Sequence, residues 1–228
     1  MIKNVFLDID DTLLDFHKAE ANAIRKTFSD MGIEPTQELI RHYSEVNLSQ
    51  WHDLEKGLIT REKLLTKRFD ILYAELGITL SSEKTQSFYE KYLSREAYFI
   101  EGAQELLDAL YGRYRLFIAS NGTAYVQKGR IGITGIAKYF EKIFISEHIG
   151  FDKPSKEYFD ACFAQIPDFA PEESIIVGDS LSSDIRGGIN AGIKTCWYNP
   201  KGKTCGEDTV PDFEIRSLSE LPALLEKI

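Results

Sequence analysis

The stretch Val5-Phe6-Leu7-Asp8-Ile9-Asp10-Asp11-Thr12-Leu13 runs an apolar strand directly into a group of carboxylates. If the strand alternation holds to its end, Asp8 and Asp10 face the same way. Far downstream, Ser174-Ile175-Ile176-Val177-Gly178-Asp179 repeats the design, with Asp184 shortly after. Carboxylates brought together repel, and each raises its neighbour's pKa unless a cation neutralises them. An all-oxygen cluster with no histidine or cysteine beside it suits a hard ion, Mg²⁺ before Zn²⁺.

Between these two strands the pattern changes twice. Phe16, Ala19, Ala23, Phe28 and Met31 recur at helical spacing, and Gly32 ends the run. Further helical stretches cover roughly 36–54, then the run carrying Leu65, Phe69, Leu72 and Leu76, then the run from about Ser82 to Leu93. From Tyr98 onward strands alternate with helices. Strands are expected at 115–119, 142–146, 174–178, 195–198 and 213–215, with helices at about 103–111, 123–133, 155–166, 182–191 and 217–227. Such alternation implies a doubly wound, mostly parallel α/β sheet of Rossmann-like type, covered on both faces. The first strand belongs to that sheet, yet a helical block separates it from the rest. The expected organisation is therefore an α/β core from residues 1–14 and 98–228, with an inserted helical cap at 15–97.

Bulk composition bounds the function classes. The chain has 228 residues and a net charge of −9, from 27 basic and 36 acidic side chains. No Lys/Arg stripe appears, which argues against a nucleic-acid duplex as partner. Small anionic substrates remain compatible, because one metal ion and one lysine reverse the sign locally. The three cysteines, Cys162, Cys196 and Cys205, form no Cys-x-x-Cys pair and read as reduced thiols of a cytoplasmic protein. The first strand is too short and too acidic for a signal peptide, and no apolar run approaches the roughly 20 residues of a membrane helix.

In open α/β sheets, ligands bind beyond the carboxyl ends of the strands at a topological switch point. Asp8 and Asp10, then Ser120-Asn121-Gly122, then Asp179 are all delivered to that edge, with Lys153 in the turn-rich loop Gly150-Phe151-Asp152-Lys153-Pro154. A carboxylate nucleophile can split a phosphoryl transfer into two steps. A second carboxylate can protonate the leaving alkoxide and then activate water. Ser120 offers a hydroxyl, the amides of Asn121 and Gly122 can cradle phosphoryl oxygens, and Lys153 supplies fixed positive charge.

Taken in order, Asp8-Ile9-Asp10-Asp11-Thr12, the strand ending in Ser120-Asn121-Gly122, Lys153-Pro154, and Gly178-Asp179-Ser180-Leu181-Ser182-Ser183-Asp184 resemble the four motifs of the haloacid dehalogenase superfamily. The helical block resembles that superfamily's cap. The resemblance implies Asp8 as nucleophile and Asp10 as general acid/base. It implies phosphoryl binding by Ser120, Asn121 and Lys153. It also implies Mg²⁺ held by Asp8, the Asp10 carbonyl and Asp179, with Asp184 in support. Ser120 replaces the commoner threonine.

Within the superfamily the chain looks most like the pyrimidine 5′-nucleotidase branch. The stretches that carry this are Asp11-Thr12-Leu13-Leu14-Asp15-Phe16, Trp51 followed by Glu55-Lys56-Gly57, Gly150-Phe151-Asp152-Lys153-Pro154, and Thr195-Cys196-Trp197-Tyr198-Asn199-Pro200. The implied activity is hydrolysis of small cytosolic phosphates, nucleotides first, with Trp51, Lys56 and Gly57 in the substrate-selecting part of the cap.

Rival readings attach to single residues and to the whole. Asp10-Asp11-Thr12 also fits a turn and helix cap, and Asp184 fits a cap of the helix at 182–191. Trp51, Tyr89 and Tyr92 fit cap-helix packing. The four histidines lack ligand spacing. Related caps serve phosphoglycolate and sugar-phosphate phosphatases, and the same residues could run a phosphomutase. A 2-haloacid dehalogenase leaves Asp10 and the Asp179/Asp184 pair unexplained. A phospho-accepting signalling module needs about half this length, and intact Asp8 and Asp10 argue against a silent binding protein.

Overall fold

The computed structural model describes residues 1–206 and 208–228. Among these, six strands form one sheet: β1 (Asn4–Leu7), β2 (Arg115–Ser120), β3 (Lys142–Ile145), β4 (Ser174–Gly178), β5 (Lys194–Tyr198) and β6 (Phe213–Ile215). Their order is β3-β2-β1-β4-β5-β6, and every neighbouring pair is parallel. The α/β expectation is met. The chain winds from β1 to one edge, then returns to build the other side, so the switch point lies between β1 and β4.

Register puts the chemistry at one place. Leu7 pairs with Ile118 on one side and Val177 on the other. The residues just beyond, Asp8, Ser120 and Asp179, therefore sit at the carboxyl ends of three adjacent strands. Side chains alternate between two cores, as strand pleating requires. Val5, Leu7, Leu116, Ile118, Ile175 and Val177 pack on one face. Phe6, Phe117, Phe144 and Ile176 pack on the other, where Phe6 stacks on Phe117 with centroids 5.0 Å apart. Helices α5 (Ala103–Leu110) and α10 (Leu221–Leu225) cover the first face, and α8 (Lys156–Phe163), which follows the single turn α7 (Ser146–Ile149), covers the second.

Helices α1 (Phe16–Asp30), α2 (Gln37–Glu55), α3 (Arg61–Leu76) and α4 (Ser82–Leu93) lie between β1 and α5 in the chain. They have their own core of Ala23, Phe28, Tyr43, Phe69, Leu72, Tyr89 and Leu93. Each starts where the sequence supplies a side-chain cap: Asp15, Thr36, Thr60 and Ser81 each accept from a backbone N–H of the first turn. Helix α3 stops at Gly77, whose φ of 65° is left-handed and favours glycine. Two short segments join this block to the sheet, and they zip to each other. Asp15 N–H donates to Tyr98 O at 2.9 Å, and Ile100 N–H donates to Leu13 O at 3.0 Å.

Two expectations need correction. The first strand ends at Leu7 rather than Ile9, so strand alternation does not place Asp10. The chain turns instead: Leu13 and Leu14 N–H both bond Ile9 O, and Asp11 takes a left-handed φ of 57°. Aspartate visits that region more readily than most residues. Asp11 Oδ1 then accepts from the N–H groups of Phe16 and His17, so Asp11 is the helix-capping member of the motif. The second correction concerns the helix at 182–191. It opens with one π turn, Leu181–Ile185, before α9 (Arg186–Ala191).

Cys162 and Cys196 are buried free thiols, and Cys205 is an exposed one. No helix among the described residues is long and apolar enough to cross a membrane.

Candidate active site

Lys153 is the centre of the arrangement. Its side chain is buried, and its ammonium donates to Asp8 Oδ1 at 2.7 Å, Asp184 Oδ1 at 2.6 Å and Ala119 O at 2.6 Å. An ammonium taken out of water without partners costs several kcal/mol; here all three of its protons are used. Burial opposes its charge, but Asp184 and Asp8 outweigh that and hold its pKa above the ordinary lysine value. Asn121 fixes the lysine from behind, its side chain donating to Lys153 O at 2.8 Å and accepting from Lys153 N–H at 2.9 Å. This dictates where Nζ arrives.

Asp8, Asp179 and Asp184 bring one carboxylate oxygen each to within 4.8 Å of one another. Burial pushes the Asp8 carboxyl up to about 8, with Lys153 pulling against it and Asp184 and Asp10 adding to the rise. Asp179 is also raised well above its ordinary value, by burial and then by Asp184 and Asp8. In the ionised form that binds metal, three carboxylates against one ammonium leave two negative charges, the complement of a divalent ion. The donor set is all oxygen, so it fits Mg²⁺. Asp179 is itself held by backbone: its N–H donates to Thr12 Oγ1 at 3.1 Å, and its carbonyl accepts from Trp197 Nε1 at 2.9 Å. Asp184 does two jobs. It meets Lys153, and its Oδ2 accepts from Ser180 N–H at 3.1 Å in the turn that starts the helix.

Asp10 stands apart from that cluster. Its Oδ2 accepts from Gln127 Nε2 at 2.7 Å, and its Oδ1 pairs with Arg130. Both partners lie on α6 (Ala124–Thr134), the helix that follows the Ser120-Asn121-Gly122 turn. Ser120 is fully buried, and its hydroxyl oxygen accepts from Gly122 N–H and from Gln127 Nε2, each at 3.0 Å.

A cavity of about 1010 Å³ joins these groups to the helical block. The sheet side contributes Asp8, Asp10, Asn121, Gly122, Lys153 and Asp179 to its lining, and the helical block contributes Glu20, Asn47, Trp51, Glu55, Lys56 and Arg68. Part of the helical lining is polar and held in place: Asn47 Nδ2 donates to Glu20 Oε1, and Arg68 donates to Asn47 Oδ1 and Gln86 Oε1, each at 2.6 Å. Glu55 brings a fourth carboxyl from α2 toward Ser182 and Asp184, and burial pushes it up to about 7.

Among the cap candidates, Trp51 and Lys56 thus reach the cavity wall. Gly57 does not; it turns the chain after α2 with a φ of 70°. Trp51 also lies under the Arg61 guanidinium, 5.5 Å from its ring centroid. Arg61 in turn donates to Asn121 O at 2.8 Å and bonds Ser146 and Asp152. Tyr89 is buried in the helical core and lines the cavity, whereas Tyr92 bonds Asp30.

Gln127, Arg130 and Arg61 were not among the residues expected from the sequence, and Glu55 was quoted there only as part of the Glu55-Lys56-Gly57 stretch. Two signals were available. Gln127 and Arg130 are long polar residues three apart on one helix face, directly after a proposed phosphoryl-binding turn. Arg61 is a cation in the first turn of a helix, where the macrodipole disfavours it.

Comparison with known proteins fits this geometry. The family model of haloacid dehalogenase-like hydrolases matches residues 5–198. The HAD-hydrolase YfnB of Bacillus subtilis is 38% identical over 98% of this chain and 95% of its own. Its crystal structure superposes with a TM-score of 0.94, covering 98% of each chain. That orthorhombic form is bound to magnesium and reveals interdomain movement in YfnB. The pyrimidine 5′-nucleotidase PynA of Streptococcus pneumoniae is 36% identical over 99% of this chain and 95% of its own. The pyrimidine 5′-nucleotidase YjjG of Escherichia coli is 33% identical over 98% and 97%. With four motifs converging at one switch point and a family match across most of the chain, this protein belongs to the haloacid dehalogenase-like hydrolases.

Proposed function

We propose that this hydrolase is a Mg²⁺-dependent phosphomonoesterase of the cytoplasm. Its substrates are small phosphorylated metabolites, nucleoside 5′-monophosphates first, with pyrimidine bases preferred. The observation that carries this reading is Asp10. It lines the same cavity as Asp8 but is kept out of the lysine's ion pair by Gln127 and Arg130. Displacing a halide needs a carboxylate nucleophile and no second carboxylate. Expelling an alkoxide from phosphorus needs a proton donor. The nucleotide preference rests on the likeness to PynA and YjjG.

In this mechanism an oxygen of Asp8 attacks phosphorus, and the bond from phosphorus to the leaving oxygen breaks. Asp10 delivers a proton to that oxygen, which departs as an alcohol. Water then attacks the aspartyl phosphate while Asp10 takes its proton, and the bond from phosphorus to Asp8 breaks to return the carboxylate and release phosphate. Asp8, the Asp10 carbonyl and Asp179 would hold Mg²⁺, with Asp184 in support; when bound, it offsets the repulsion between the anionic phosphoryl group and Asp8. The Ser120 hydroxyl, the Asn121 amide and Lys153 hold the phosphoryl oxygens, while the Gly122 N–H, bonded to Ser120 Oγ, orients that hydroxyl.

Lys153→Ala is expected to lower kcat by roughly 10²–10³, the typical cost of removing a preorganised charge-stabilising group. A folded Lys153→Ala enzyme with full kcat/KM would reduce Lys153 to an ion-pair partner of structural value only.

We further propose that residues 15–97 act as a cap on a core formed by 1–14 and 98–228, and that the cap sets selectivity. In this mechanism the sheet-side residues serve the phosphoryl group, which leaves discrimination among leaving groups to the cavity-lining residues of the helical block. The test is kcat/KM across pyrimidine and purine nucleoside 5′-monophosphates, sugar phosphates, phosphoglycolate and p-nitrophenyl phosphate, with halide release from 2-haloacids alongside. Pyrimidine nucleotides should rank first. Replacing residues 54–60 should reorder the natural esters and largely spare the aryl ester. Halide release without phosphate release would overturn the reading, and an equal change for every ester would remove this loop from selectivity.

A further inference from the structure

Arg130 is fully buried, charged and placed where three parts of the molecule meet. Its Nη1 pairs with Asp10 Oδ1, its Nε donates to Glu96 O at 3.1 Å, and its guanidinium lies 5.8 Å from the Phe16 ring centroid. Phe16 opens α1 at the end of one linker, and Glu96 precedes the other. Helix α6 is pressed against the second linker's approach, for a Cβ on Gly129 would come within 2.3 Å of Ser94 O. One turn earlier on α6, Gln127 Nε2 takes the other oxygen of Asp10 and also meets Ser120 Oγ. Each oxygen of Asp10 is thus held by a different side chain of one helix.

We propose that Arg130 is a positioning residue for Asp10, fixing its carboxylate by reference to both segments that join the helical block to the sheet. The proposal rests on the phosphomonoesterase reading above. A guanidinium buried only to fill space is disfavoured, because an apolar side chain of similar volume is often neutral or stabilising in its place. The bonds Arg130 makes give it something an apolar side chain cannot: an orientation for Asp10 that depends on where the linkers lie. Misplacement of a reacting group by about 1 Å can cost on the order of 10² in rate.

The experiment measures first-turnover release of the leaving group from two esters. A nucleoside 5′-monophosphate needs a proton on its departing alkoxide, whereas p-nitrophenyl phosphate expels a stable phenolate without one. Arg130→Met should slow nucleoside release by roughly 10² and nitrophenolate release by less than about threefold. Arg130→Lys, which keeps the charge but cannot reach Asp10 and Glu96 together, should show the same selective slowing to a smaller degree. In an Asp10→Asn background, Arg130→Met should add no further loss, since its effect passes through Asp10. Should Arg130→Met fail to fold, the Arg130→Lys pair of rates decides. Equal slowing of both esters, or a full additional loss on Asp10→Asn, overturns the proposal and leaves the phosphomonoesterase reading standing. A parent enzyme inert towards both esters overturns both together.

Discussion

Asp8→Asn should abolish turnover while leaving a folded protein that is at least as stable as the parent. Loss of the nucleophile removes the covalent route, and in other covalent enzymes such a loss costs roughly 10⁶ in kcat. The stability half of the expectation follows from the site's electrostatics. Asp8 is buried beside Asp184 and Asp10, and its folded pKa of about 8 lies above the ordinary 3.8. A carboxyl raised in this way stabilises the fold fully below its unfolded pKa. That contribution is lost as pH rises through the folded value. Asparagine carries no such dependence and can still accept from Lys153. In metal-free protein the melting temperature of Asp8→Asn relative to the parent should therefore rise between pH 4 and pH 8. Near-parental turnover in Asp8→Asn would remove Asp8 as nucleophile, whatever the melting data show.

The sheet-side residues that the sequence made legible share one property: each lies at or a few residues past the carboxyl end of a sheet strand, or in a loop beside it. Asp8, Ser120 and Asp179 follow from reading apolar runs that stop at polar residues, and the parallel register then brings them together. Lys153 was legible through its place in the order of motifs. Its contact with both Asp8 and Asp184 was not, because Asn121 sets it through long-range bonds to a loop. Asp10 was read as a functional residue for an incomplete reason. Strand alternation does not carry past Leu7, and it is the left-handed turn at Asp11 that places Asp10. Gln127, Arg130, Arg61 and Glu55 depend on how helices dock on the sheet. A period of 3.6 residues gives a helix its face but not its neighbour. Trp51 shows the same limit: its packing role and its place on the cavity wall are both real, and only the docked Arg61 shows how they combine.

Chelation should stop phosphate release, and Mg²⁺ should restore it. Burial and mutual repulsion raise the pKa of Asp8 and Asp179, so without a cation these carboxyls favour the protonated form, and a divalent ion that binds their ionised forms must displace those protons. A divalent ion that binds the folded state alone stabilises it by about 2.7 kcal/mol at a hundred times its Kd. Mg²⁺ should accordingly raise the melting temperature as well as the rate. Asp179→Asn should lose most of that thermal response, because Asp179 is held by Thr12 and Trp197 through its backbone and its carboxylate is free to serve the ion. Ca²⁺ should restore stability better than activity, since it takes more ligands at longer distances and holds them less rigidly than Mg²⁺. Two measurements on one sample then separate charge neutralisation from catalysis. A cation that restores melting but not turnover satisfies the cluster without serving the phosphoryl group. Phosphate release undiminished in chelator, with no thermal response to Mg²⁺, would overturn the metal-assisted mechanism and return the 2-haloacid reaction to contention.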